Sequence, residues 1–354
     1  MEAASIPESP AARPPRPVAK AIADNILWLL LGLALVVYFI QDPKQTLDDV
    51  KTGLSNGTIW ALIALGYTLV YGIIELINFA HGDVFMIGSF VSVSIWQTLG
   101  VTPDNSLIAI LGSMLIGIVL AMLASGTLNV MIERVAYKPL RNAPKLAPLI
   151  TAIGMSFLLQ NVGAAIWGFT ERPLTSTGAS IFPANTLFSV GGFPYRAKSL
   201  IVVLITIPVL LLLNYLVRST KAGKAMRAVA QDMDASRMMG INVDRTIAFT
   251  FALGGALAGA AGLLFVMFQT STRFDLGFQI GLFAFTAAVL GGIGNLTGAV
   301  LGAMLIGLIQ AFNEGLSWHT PGSNWTESII FAILILVLVF RPQGLLGEAT
   351  ADRA

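Results

Sequence analysis

The chain has no cysteine, which excludes disulfides, thiolate metal sites and cysteine nucleophiles. Charge is scarce too: 11% of residues are Asp, Glu, Lys or Arg, where soluble domains carry roughly 25%. Only two histidines occur, and the scattered carboxylates offer no zinc spacing. A net charge of +2, with no basic stripe, argues against nucleic acid as a partner. The phosphate-cradling pattern GxxxxGK[ST] is missing. Gly223-Lys224 is followed by Ala225, and Arg218 stands where the first glycine belongs.

What fills the 354 residues is apolar: 55% of the chain, with a mean hydropathy of +0.78. Repeated runs long enough to cross a ~30 Å hydrocarbon core predict an all-α, polytopic transmembrane bundle. Met1 to Ala21 is proline-rich and aperiodic, the pattern of a disordered cytosolic tail. An uncleaved first helix over 26–40 is expected rather than a signal peptide, because no small-x-small site follows it. Further runs cover 53–74, 84–100, 107–132, 147–169, 199–217, 246–268, 276–290, 298–312 and 328–340. Placing the N-terminus inside puts 15 of the 21 basic residues on cytosolic pieces, including 75–83, 133–146, 218–245 and 291–297. That bias predicts N-in and C-in.

The segment number is expected to be about 8–10. Runs 276–290, 298–312 and 328–340 are short for full spans, and breaks fall at Asn78–Gly82 and Gly291–Asn295. Short, glycine-interrupted segments point to discontinuous helices of the kind transporters place near the midplane. FAHGDVFMIGS at 79–89 and GGIGNLTGAVLGA at 291–303 hint weakly at an internal duplication. Gly255-x3-Gly259, Ala258-x3-Gly262 and Gly298-x3-Gly302 are read as packing seams. The uncharged polar residues Asn56, Gln160, Asn161, Gln269 and Asn295 are expected to bond between helices.

Glu75, Asn78, His81 and Asp83 cluster at the first break, and spacings of three put the first three on one side of a helical turn. With Asn295, these are candidate gate or path residues. The plainer reading is a hydrated cytosolic turn. Every carboxylate lies at or near a segment end, which counts against an ion-coupled carrier.

Arg218 to Arg245 is the longest polar, helix-compatible interval, holding six basic and three acidic residues. Ala222, Met226, Val229 and Met233 are predicted to share one side of a helix over 222–231. Asp232 or Asp234 then caps a second short helix ending near Met239, with Gly240 left-handed. Such a loop either fixes topology or meets a soluble partner.

Five blocks carry a resemblance: GLSNGTIWALIALGYTLVYGIIELINFAHGDVFMIGS at 53–89, VAYKPLRNAPKLAPLITAIGMSFLLQN at 135–161, GKAMRAVAQDMDASRMMGINVDR at 223–245, AAVLGGIGNLTGAVLGA at 287–303 and RPQGLLG at 341–347. Over roughly residues 50 to 347 the chain resembles the LivH-type permease subunit of bacterial ABC importers for branched-chain amino acids. The resemblance implies a permease domain over 22–347, a coupling loop at 218–245 and a short C-terminal tail at 348–354. It assigns ATPase docking to Gly223, Ala225, Arg227, Ala228, Asp232, Ala235, Gly240 and Ile241. Met226, Met233 and Met239 are the expected apolar anchors, in a helix-in-groove contact. It further implies a multi-pass location in the bacterial inner membrane, among lipid. The expected partners are a sister permease, two ABC ATPase subunits and an extracytoplasmic binding protein. On this reading the subunit is no enzyme and holds no cofactor, ATP being used by partner chains. A permease for urea or short-chain amides is the alternative within the family. An ion-coupled carrier or channel is the alternative outside it.

Overall fold

Apolar side chains drive this chain into helices, because in lipid every backbone N–H and C=O must be satisfied within its own segment. The computed structural model describes residues 32–33, 36–141, 143–144, 146–175, 180, 186–190, 193–315, 322–341 and 343–347. The proline-rich stretch, most of the first apolar run and 348–354 lie outside the described residues. The chain divides into two units, Met1–Leu47 and Asp48–Ala354.

The helices are α1 (Pro43–Ile74), α2 (His81–Leu99), α3 (Leu107–Ile132), α4 (Leu146–Trp167), α5 (Ala197–Ser219), α6 (Lys221–Gln231), α7 (Met233–Met238), α8 (Val243–Gln269), α9 (Leu276–Gly291), α10 (Leu296–Gly315) and α11 (Thr326–Phe340). A π-helical turn, Glu133–Tyr137, and a 3-10 turn, Lys138–Leu140, prolong α3. Two small antiparallel pairs join the loops: β1 (Arg172–Pro173) with β4 (Ser271–Thr272), and β2 (Thr186–Val190) with β3 (Phe193–Arg196). Among the described residues, 7 helices are long and apolar enough to cross a membrane. The fold is an all-α, polytopic bundle, and two helices are not among those spans: α2 is too polar, and α9 too short. α2 is 19 residues and α9 is 16, the latter about 24 Å at 1.5 Å per residue.

α1, α2 and α8 form the centre, while α4, α5 and α11 leave much of their apolar surface outward, as lipid-facing helices do. Backbone contacts between small residues set the centre. A Cβ on Gly259 would strike Ala121 of α3, one on Gly262 would meet the Ser89 nitrogen of α2 at 2.6 Å, and one on Gly302 would strike Ala287 of α9. The three small-residue motifs are therefore seams inside this chain. The hinted duplication does not extend to placement: the first break is buried around His81, whereas Gly294 at the second is exposed.

Loops alternate between two ends. At one end lie 75–77, the turns after α3, the α5–α8 connection, 292–295 and the segment 343–347; at the other, β1 pairs with β4. The segment 343–347 has a structural purpose that its motif alone does not reveal. Leu345 and Leu346 N–H groups donate to the Leu290 and Gly291 carbonyls at 2.8 and 3.0 Å, closing the open C-terminal end of α9.

Candidate functional site

The connection from α5 to α8 is a locked elbow. Thr220 accepts a bond from Gly223 N–H at 3.1 Å, capping α6. A Cβ at Gly223 would overlap the Leu216 and Val217 carbonyl oxygens, so only glycine lets α6 start this close to the end of α5. The Arg227 guanidinium donates back to the Val217 and Arg218 carbonyls. One cation thus serves the last turn of α5, where the helix leaves acceptors open. Of the two cap candidates, Asp232 is the one used: its Oδ1 accepts from Asp234 and Ala235 N–H, both at 2.9 Å. Asp234 instead pairs with Arg237 at 2.8 Å. Gly240 is left-handed, with φ 79°. Ile241 N–H then closes onto the Ser236 carbonyl at 3.0 Å, and Asn242 caps α8 through Arg245 N–H at 3.0 Å.

Two expectations for this elbow need correcting. Ala222 is exposed, and the buried side of α6 is Gly223, Met226 and Val229. Met226 is 3% exposed, so it packs on its own bundle and cannot anchor a partner. Met233 is half-buried against the core. The apolar groups presented outward are Met238 and Met239, 83% and 81% exposed. Ala225, Ala228 and Ala235 are half-buried along the elbow's flank. Charge fixes the root of α8 nearby: Arg141 bridges Glu133 and Asp244, the latter at 2.6 Å, and Lys138 joins Asp244 at 2.8 Å.

The five candidate gate residues separate into three groups. Glu75, exposed and at φ 52°, ends α1. With Asn295, Arg218 and Arg227 it lines a hollow of about 900 Å³ beside the elbow. Asn295 caps α10 through Gly298 N–H at 3.0 Å and donates to the Leu346 carbonyl at 2.8 Å. Asn78 enters a buried network instead: its amide donates to Asn129 at 3.3 Å, and it accepts from the Tyr137 hydroxyl at 3.1 Å. Asn129 in turn donates to the Phe251 carbonyl at 2.7 Å, tying the first break to α3 and α8. Residues 75–78 are not helical, so Glu75, Asn78 and His81 do not share the side of a helical turn that their spacing suggested.

His81 and Asp83 form the third group, and both are 0% exposed. The reading of 75–83 as a hydrated cytosolic turn therefore fails at its second half. α2 begins inside the bundle, not at its rim. The His81 ring packs edge-on against Tyr67 at 4.7 Å and fills the space opposite Gly66. Gly66 lies eight residues from the end of α1, which puts the His81 ring about 12 Å below that end at 1.5 Å per residue. On the other side Gly82 abuts Gly277 and Gly281, so the first turns of α2 and α9 meet at this depth. Two helix N-termini converge on one buried point, the arrangement discontinuous helices create in transporters. Among the described residues, neither His81 ring nitrogen nor either Asp83 oxygen has a hydrogen-bond partner. The Ile63 carbonyl faces the His81 ring, and Ser156 and Gln160 of α4 face the Asp83 carboxyl, without closing a bond of good geometry; Gln160 instead donates to Ser156 at 3.2 Å. Orphaned ionisable groups at depth are costly and mark a path or switch more often than a scaffold.

Sequence reasoning missed Asn129 and Tyr137, whose partners lie far along the chain. It also misjudged Gln160 and Asn161: both bond within α4, to Ser156 and to the Phe157 carbonyl at 2.8 Å, not between helices. Thr220 was missed as well, although a Ser/Thr one residue before a run of helix formers is a cap signal.

An apolar bundle with broken helices meeting at depth and a rigid polar elbow at one end defines a multi-pass membrane transporter subunit. The chain belongs to the family of permease components of branched-chain amino acid transport systems, whose profile matches residues 50–339. It is 37% identical to the high-affinity branched-chain amino acid transport system permease protein BraD of Pseudomonas aeruginosa, over 87% of this chain and 97% of that one. It is 39% identical to the permease protein LivH of the corresponding Escherichia coli K12 system, again over 87% and 97%. PsaBC from Streptococcus pneumoniae, solved in complex with Fab, aligns over 88% of this chain with a TM-score of 0.44 and 14% identity, a likeness too remote to argue from.

Proposed function

We propose that this chain is the membrane-spanning subunit of an ABC importer in the bacterial inner membrane, carrying branched-chain amino acids and driven by separate ATPase chains. The observation that carries this reading is the 37–39% identity, spread over nearly the whole membrane domain, to permeases so named. The elbow lies in the cytosol, with both termini, as the basic residues argue. It docks in the ATPase through Met238 and Met239, not through Met226, and the Thr220, Gly223 and Arg227 contacts pass the ATPase's movement to α5 as a rigid body. A sister permease and an extracytoplasmic binding protein complete the assembly. Lacking a P-loop, the subunit hydrolyses nothing itself.

The test is uptake by the complete complex in reconstituted vesicles. ATP-dependent accumulation of labelled leucine, isoleucine or valine is expected, with no accumulation of urea. Urea uptake without leucine overturns the substrate; leucine uptake without any ATPase overturns the class. Met238→Asp and Met239→Asp are expected to lower the amount of ATPase that co-purifies while leaving membrane insertion intact.

A further inference from the structure

A cleft of about 310 Å³ lies between α4, α9 and α11, at the end opposite the elbow. That volume is at the low end of the range for small-molecule sites. Its chemistry is mixed in a specific way. Arg273 supplies one positive charge, Glu327 and the half-buried Asp275 two negative ones, and Arg273 and Glu327 are exposed. Each is satisfied by a neighbour: Arg273 Nε by Asp275, and Glu327 Oε1 by the Gln279 amide at 2.6 Å. The guanidinium retains its terminal donors and the carboxylate its second oxygen. Phe157, Phe278, Leu282, Phe283 and Phe331 are the apolar part of the lining. Gln160 lines the same cleft and faces the orphaned Asp83 carboxyl behind it.

We propose that this cleft binds the free amino acid as a zwitterion: Arg273 takes the carboxylate, Glu327 with Asp275 takes the ammonium, and the phenylalanine wall takes the aliphatic side chain. The geometry selects against other classes. An anion meets two carboxylates, a cation leaves the terminal donors of the guanidinium unanswered, and an uncharged amide leaves all three charged groups unanswered. An aliphatic zwitterion satisfies all three surfaces, the rule by which a site built for polar groups rejects ligands that lack them. Gln160 donates to Ser156 at 3.2 Å and both face the Asp83 carboxyl, so the next polar group behind the cleft wall is Asp83, where α2 and α9 meet. The inference rests on the amino acid reading above and adds a location within this subunit.

The absence of cysteine makes the test direct. Phe278→Cys places the chain's one thiol on the cleft wall, and its rate of maleimide labelling is measured in the assembled complex. Leucine is expected to slow labelling about tenfold at saturation. Leucinamide, which lacks the carboxylate, and 4-methylpentanoate, which lacks the ammonium, are expected to leave the rate unchanged. Adding Arg273→Gln or Glu327→Gln is expected to weaken leucine protection about tenfold in concentration, as loss of one charged hydrogen bond does. Leu282→Cys, on the same wall, repeats the measurement should Phe278→Cys fail to assemble. Equal protection by the two analogues, or none by leucine, overturns the proposal. Leucine uptake by the wild-type complex is measured alongside. If uptake is present and protection absent, only the cleft assignment falls; if the wild type moves no leucine, the substrate reading falls with it.

Discussion

Substituting Gly223 by alanine tests whether the elbow is rigid. The added Cβ overlaps two backbone carbonyl oxygens, Leu216 and Val217, and neither can swing aside as a side-chain tip can. α6 has to lift off the end of α5. Lifting removes the Arg227 bond to the Val217 carbonyl, about 1.5–3 kcal/mol for a charged donor. It also loosens the Thr220 cap, about 1 kcal/mol. Alanine returns about 1 kcal/mol through its better helix propensity. The balance is about 2 kcal/mol against the docked elbow, or about thirty-fold in its population. ATP-dependent uptake in reconstituted vesicles, normalised to the amount of inserted chain, reads this directly. A fall of about tenfold or more is expected, while Lys224→Ala, on the exposed side of α6, changes little. Uptake of Gly223→Ala within about twofold of wild type, under 0.5 kcal/mol, refutes a coupling carried by this contact.

Three further outcomes follow from the packing. Gly277→Ala pushes a methyl into Asp83 and Gly82 at the α2–α9 crossing, and a loss of about 1–3 kcal/mol is expected as a lower Tm of the detergent-purified complex. Gly154→Ala, with nothing within 4 Å of the added carbon, is expected to leave Tm unchanged or raise it, by up to about 1 kcal/mol. Asn129→Ala strands both Asn78 and the Phe251 carbonyl, costing about 1–3 kcal/mol in the same melt; Asn129→Asp keeps an acceptor for Asn78 but loses the donor to Phe251, so it recovers only part.

Local chemistry was the readable part of the elbow. Gly240 and the short helices follow from capping and left-handed preferences that act within four residues, and sequence narrowed the cap to Asp232 or Asp234, between which the structure chose Asp232. Which side of α6 faces the bundle was less readable. Ala222 and Met226 are both apolar, and only the tight start enforced by Gly223 rotates Met226 inward and Ala222 out. The break at 75–83 failed for a different reason. Spacing reports which residues share a side, not the depth at which a helix begins. His81 and Asp83 lie at depth because Gly66, Gly277 and Gly281 leave room for them, and those glycines are up to 200 residues away. The zwitterion cleft was invisible for the same reason: Gln160, Arg273 and Glu327 meet only once α4, α9 and α11 are packed.

α8 connects the elbow to the buried break at His81, and its packing leaves it no slack. It starts at the Asn242 cap, directly after the turn that closes α7. Two turns on, the Phe251 carbonyl holds Asn129 and through it Asn78. One turn further, Gly254 touches the Gly66 backbone, whose other side meets the His81 ring. From Val243 to Gly254 is about 16 Å at 1.5 Å per residue. Over the next two turns Gly255, Gly259 and Gly262 sit against the backbones of α3 and α2. Close-packed interiors shift between discrete arrangements and do not deform gradually. A push on the elbow large enough to move α8 must therefore break the Asn129–Phe251 bond, which holds Asn78 of the first break, or the Gly66–Gly254 contact, which borders the His81 ring. The orphaned polar groups stand where such a movement first has to open the bundle.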